Sequence, residues 1–84
     1  MYDLYIERSA ERDLKKLSAE DFRRIITHIK TLAENPKSSG CRKLSGSKNE
    51  WRQRVGSHRV IYEIDDKAKV IRIMRVRHRR EVYR

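Results

Sequence analysis

At 84 residues the chain has room for one modest core and none for a large internal cavity, so any chemistry has to sit on an open face. Its 22 Lys and Arg against 12 Asp and Glu leave a formal net charge of +10, well beyond what solubility requires, and point to polyanionic partners. Cys41 stands alone and no Cys/His cluster has ligand spacing, which excludes a disulfide-stapled fold and a zinc site. The opening Met1-Tyr2-Asp3-Leu4-Tyr5-Ile6-Glu7-Arg8 lacks the apolar run of a signal peptide, and no window approaches the ~20 apolar residues of a membrane span. The expectation is one soluble, cytoplasmic domain over residues 1–84, with no membrane partner, metal or cofactor.

Taken in chain order, Tyr2, Leu4 and Ile6 alternate with Asp3, Tyr5 and Glu7 and predict a half-buried first strand. A short helix follows from Ala10 to Leu17, with Ser9 as the candidate N-cap and Leu14 and Leu17 as core contacts. Ser18-Ala19-Glu20-Asp21 resembles a capping box opening a second helix, whose Phe22, Ile25, Ile26, Ile29, Leu32 and Ala33 form one apolar stripe. Asn35-Pro36 ends it, because proline disfavours helical geometry in the residue before it. Lys37 to Asn49 reads as a loop, with Leu44 as its core anchor. Trp51–Val55, His58–Ile64 and Val70–Val76 then read as strands, joined at Gly56-Ser57 and Asp65–Lys69. The predicted fold class is α+β in the order β-α-α-β-β-β, with two N-terminal helices packed on one face of a mainly antiparallel sheet and the other face uncovered.

Arginine is concentrated in the second half: Arg52, Arg54, Arg59, Arg72, Arg75, Arg77, Arg79, Arg80 and Arg84. Its planar, bidentate donor set suits phosphate. Residues two apart on a strand share a face, so Arg52 groups with Arg54, and Arg75 with Arg77 and Arg79; Arg59 lies opposite a core row of Val60, Tyr62 and Ile64 in alternation. Arginines of three strands then converge on the face away from the helices. Two plainer readings compete. A basic surface resists edge-to-edge pairing, and an acidic or amphipathic peptide can cover it.

Lys43-Leu44-Ser45-Gly46, Trp51-Arg52-Gln53-Arg54-Val55-Gly56, His58-Arg59-Val60-Ile61-Tyr62 and Val76-Arg77-His78-Arg79-Arg80-Glu81-Val82-Tyr83, in this order and spacing, closely resemble the RelE/ParE toxin superfamily. The resemblance spans essentially the whole chain. For the RelE branch it implies a type II toxin that enters the 70S ribosome, cuts mRNA in the A site without a metal, and is held by a cognate RelB-like antitoxin in a hetero-oligomer. ParE-like relatives inhibit DNA gyrase instead, and a non-catalytic RNA- or ribosome-binding protein is a third reading; fold alone does not separate them.

Positions matching the RelE nucleases are Arg52, Arg54, Arg59, Arg77 or Arg79, and Tyr83. This set favours RNA cleavage over the ParE-like activity. Some relatives carry Lys where Arg52 and Arg54 stand here, and arginine gives up a proton far less readily. The resemblance makes Arg54, Arg59, Arg77, Arg79 and Tyr83 the catalytic candidates; the RNA-binding candidates are Arg52 and Arg54 with Arg75, His78 and Arg80 of the basic C-terminal stretch. Arg59 with Arg77 or Arg79 would stabilise the phosphorane-like transition state, while Tyr83 stacks on a base or acts as general base. Among other residues, His28 reads as a surface residue, His58 as structural or exposed, Trp51 as packing beside the sheet, and Cys41 as lacking a base partner.

Overall fold

Seven elements follow one another: β1 (Asp3–Ile6), α1 (Arg8–Lys15), α2 (Ala19–Glu34), β2 (Cys41–Lys43), β3 (Glu50–Val55), β4 (His58–Asp65) and β5 (Val70–His78). The computed structural model describes residues 1–36, 41–43 and 50–78. Leu44, Arg79, Arg80, Tyr83 and Arg84 lie outside the described residues.

The second helix starts as its sequence requires. Ser18 Oγ accepts a hydrogen bond from the Asp21 amide at 3.2 Å, and Ile25, Ile29, Leu32 and Ala33 are buried along one stripe. Phe22, counted into that stripe by spacing, remains 42% exposed. The first helix starts earlier than its sequence suggests. Glu7 is its N-cap, without a side-chain cap bond, and Ser9 lies inside the helix. The reason is sheet pairing: the Glu7 amide still donates to the Ile73 carbonyl at 2.9 Å, so the chain leaves the sheet there and turns at once into α1.

The strands form one sheet in the order β1-β5-β4-β3-β2. β1 pairs parallel with β5, while the other neighbours are antiparallel. β2 corrects the expectation of an unbroken loop from Lys37 to Asn49. It is a short edge strand on β3, too brief to show an alternating pattern in sequence. Both helices bury their apolar stripes on one face: Ala10, Leu14, Ile25, Ile29 and Leu32 meet Val55, Val60, Tyr62, Ile64, Ile71, Ile73 and Val76. Tyr2 and Leu4 pack against this core, whereas Ile6, where β1 ends, is 41% exposed. Tyr62 is fully buried, and its hydroxyl is satisfied by donating to the Pro36 carbonyl at 2.9 Å.

Two local features set which side chains share a face. The β3–β4 hairpin closes through Gly56, whose φ of 61° at the first central position is what a II′ turn demands. In the β4–β5 pairing, Ile61 opposes Arg75 but Tyr62 opposes Ile73, leaving Met74 as an extra residue in a β-bulge. That single residue reverses the alternation of β5. Before it Ile71 and Ile73 point to the core; after it Val76 does, opposite Val60.

Candidate nucleic-acid interface

Strand register brings arginines from three neighbouring strands into direct opposition. Arg54 of β3 pairs with Arg59 of β4, and Arg59 pairs with Arg77 of β5. Their neighbours Val55, Val60 and Val76 point to the helices, so this row lies on the opposite face. One pair further along the strands, Arg52 opposes Ile61, which opposes Arg75. On the outer side the backbone of Arg42 pairs with that of Arg52. The basic end of the face is bounded by a different composition. The next register step carries Glu50 opposite Glu63 and Glu63 opposite Arg72, which itself pairs with Glu7 at 3.2 Å. Among the described residues, the arginines of this face are therefore grouped at the end holding Arg54, Arg59 and Arg77.

Exposure grades the row. Arg54 is exposed and Arg77 half-buried, but Arg59 is only 8% exposed. The expectation of an uncovered face fails at that position. Arg59 is the middle member of the row, on the central strand, with Arg54 opposite it on one side and Arg77 on the other. Burial of this kind strengthens its electrostatic interaction with anything bound beside it.

Arg75 behaves differently from its neighbours. Its Nε donates to Asp13 Oδ2 at 2.9 Å and its Nη2 to Asp13 Oδ1 at 3.2 Å, so its guanidinium is turned toward α1 and away from the row. The same carboxylate accepts from the Val76 amide at 2.9 Å. Burial alone would raise the Asp13 carboxyl, but the hydrogen bonds from Arg75 and Val76, with the charges of Arg75 and Arg77, more than offset it. The group is held below the usual carboxylate range.

His78 does not join the arginine row. It pairs with His58 on the helix side of the sheet, the two rings meeting edge to face with centroids 5.2 Å apart and an interplanar angle of 88°. His58 is buried, in line with a structural role, and His28 is half-buried on α2. Trp51 packs beside the core. Among the sequence candidates, then, Arg54, Arg59 and Arg77 come together, Arg52 lies one step away, Arg75 is engaged by α1, and His78 faces the other side. Asp13 was not among the candidates. In sequence it is one acidic residue of a short helix, and no signal there announces that it meets a strand 62 residues later.

The chain matches the model of the family described as the ParE toxin of the type II toxin-antitoxin system, over residues 4–83. No curated protein matches it significantly. Among solved structures, it resembles a chain of the toxin-antitoxin complex RelBE2 of Mycobacterium tuberculosis at 26% identity and a TM-score of 0.83, covering 92% of this chain and 96% of that one. It also resembles a chain of the archaeal RelE-RelB complex of Pyrococcus horikoshii at 29% identity and a TM-score of 0.81, covering 93% and 94%. The isolated RelE toxin of E. coli, at 22% identity, a TM-score of 0.82 and coverage of 99% and 92%, shares the fold. The chain is thus a member of the ParE toxin family of type II toxin-antitoxin systems, within the RelE/ParE toxin superfamily.

Proposed function

We propose that this protein is a ribosome-dependent endoribonuclease that cuts mRNA in the A site and is neutralised by a RelB-like antitoxin. The observation that carries the reading is the row of Arg54, Arg59 and Arg77, directly opposed on three adjacent strands. Cleavage requires the 2′-oxygen to lose its proton and attack the adjacent phosphorus in line. The bond to the 5′-oxygen breaks, and that oxygen takes up a proton. The phosphorane-like transition state carries extra negative charge on the nonbridging oxygens, and a row of permanently cationic, planar donors stabilises it. Arg59 and Arg77 are assigned this role, Arg54 and Arg52 the grip on the phosphate, and Tyr83 the base beside the cut.

The row is poorly suited to proton transfer, since arginine stays protonated throughout the neutral range. This supports dependence on the ribosome, which would align the 2′-oxygen with the adjacent phosphorus. The basic face would supply affinity that declines steeply with added salt. Antitoxin complexes among the structural relatives support a cognate antitoxin here, with an acidic or amphipathic segment lying against the basic surface.

Primer extension on mRNA in a purified translation system, with and without ribosomes, tests the proposal. Cuts at a fixed position of the A-site codon, present only with ribosomes and lost in Arg59→Ala, are the expected result. Intact mRNA together with blocked DNA supercoiling by gyrase would replace this reading with the ParE-like one. Ribosome binding without cuts would reduce the protein to an RNA-binding module.

A further inference from the structure

The geometry points to Asp13 as a positioning residue: it locks the β5 bulge that turns Arg77 onto the same face as Arg59. Its functional consequence rests on the nuclease reading; its structural content does not.

A regular strand sends alternate residues to opposite faces, and Ile71 and Ile73 point to the core. Continued without interruption, that alternation would send Arg75 and Arg77 to the helix side and would put Val76 on the arginine face. The extra residue at Met74 prevents this, so that Val76 takes the core position opposite Val60 and Arg77 falls opposite Arg59. A one-residue change of register at this point would undo the row.

The edge of β5 that faces β1 needs backbone partners past the bulge, and among the described residues the β1 pairing ends before it. β1 pairs with β5 only from Val70 to Ile73, and the last bond on that side runs from the Glu7 amide to Ile73. Beyond it the edge of β5 has left β1 behind. Asp13 fills the place: its carboxylate, only 12% exposed, accepts the Val76 amide at 2.9 Å and grips both Nε and Nη2 of Arg75. The two residues that follow Met74 are thus both fixed by one side chain of α1. A charge-assisted, forked contact of this kind is strong and strongly directional, and bulges next to functional residues commonly serve to re-aim a side chain.

Cross-strand NOEs in isotopically labelled protein test the register directly and need no activity. The parent is expected to show contacts of Val60 with Val76 and of Arg59 with Arg77. In Asp13→Ala these contacts are lost or joined by Val60 with Arg75, and protection of the Val76 amide from hydrogen exchange falls at least tenfold. Contacts between Ile64 and Ile71, before the bulge, persist in every variant. Asp13→Asn keeps the volume and one acceptor oxygen, is expected to give an intermediate loss, and replaces the alanine variant should that one not fold. A folded variant that retains the parent's contacts and Val76 protection overturns the proposal. In the ribosomal cleavage assay, Asp13→Ala should lower the single-turnover rate at saturation as Arg77→Ala does while changing half-saturation less than threefold. A register change in a protein that cuts no mRNA would leave the positioning role standing and sink the nuclease reading alone.

Discussion

If the arginine row stabilises charge developing on a single phosphate, the cost of removing each member should follow its burial. A unit charge ~4 Å from a cation interacts by ~4 kcal/mol at an effective dielectric constant of ~20, and solvent exposure lowers that figure toward the ~1 kcal/mol of bulk water. Arg59, 8% exposed, stands near the upper end; half-buried Arg77 lies between; exposed Arg54 stands near the lower. Methionine is the right replacement because it keeps an unbranched stem for packing while removing the charge. The expected losses in single-turnover cleavage on the ribosome are about 10²–10³ for Arg59→Met, about 10–10² for Arg77→Met, and about tenfold or less for Arg54→Met. Because register places Arg59 and Arg77 side by side, the double variant should lose less than the product of the single losses, by roughly 0.5–3 kcal/mol of coupling. Circular dichroism should show an unchanged fold in all of them. A larger loss at Arg54 than at Arg59, or strictly multiplicative losses in the double variant, would refute the idea that the row grips one phosphate with buried charge.

Asp13 has a lowered carboxyl in the folded state, so its contribution is complete above the unfolded value of about 4 and is lost as pH falls through the lower folded value. Urea midpoints measured from pH 6 to pH 2.5 should therefore fall below about pH 4 in the parent, with a flatter profile in Asp13→Asn; at neutral pH Asp13→Ala should cost about 1–3 kcal/mol. Gly56→Ala should destabilise by about 1–2 kcal/mol in thermal unfolding, because the φ of 61° is unfavourable for any Cβ and that Cβ would lie 3.2 Å from Arg24 Nη1. Tyr62→Phe should cost about 1–2 kcal/mol, since the Pro36 carbonyl loses its donor while the ring stays in place; an unchanged urea midpoint would mean that solvent replaces the hydroxyl.

Much of this protein is legible in its sequence. The stripe of Ile25, Ile29 and Leu32, the alternation of Val60, Tyr62 and Ile64, and the Gly56-Ser57 turn are local patterns, and local sterics translate them directly into a helix, a strand and a hairpin. The excess of arginine after Trp51, and the expectation that Arg54, Arg59 and Arg77 share a face, also came from composition and spacing. Other features depend on contacts between distant residues. That β1 lies parallel to β5, that three residues after α2 pair as an edge strand, and that α1 starts at Arg8 because Glu7 is still held by Ile73 are all settled by backbone partners far along the chain. The arginine face shows the division most clearly. Sequence determined which residue types were available and their period along each strand, because both are properties of a few neighbouring residues. Only tertiary structure decided that the period of β5 reverses at Met74, that Arg59 is buried, that His78 joins His58 on the other side, and that Asp13 meets Arg75 and Val76. Those outcomes arise where a strand edge runs past its neighbour and a helix side chain completes its hydrogen bonds, and no local pattern encodes such a meeting.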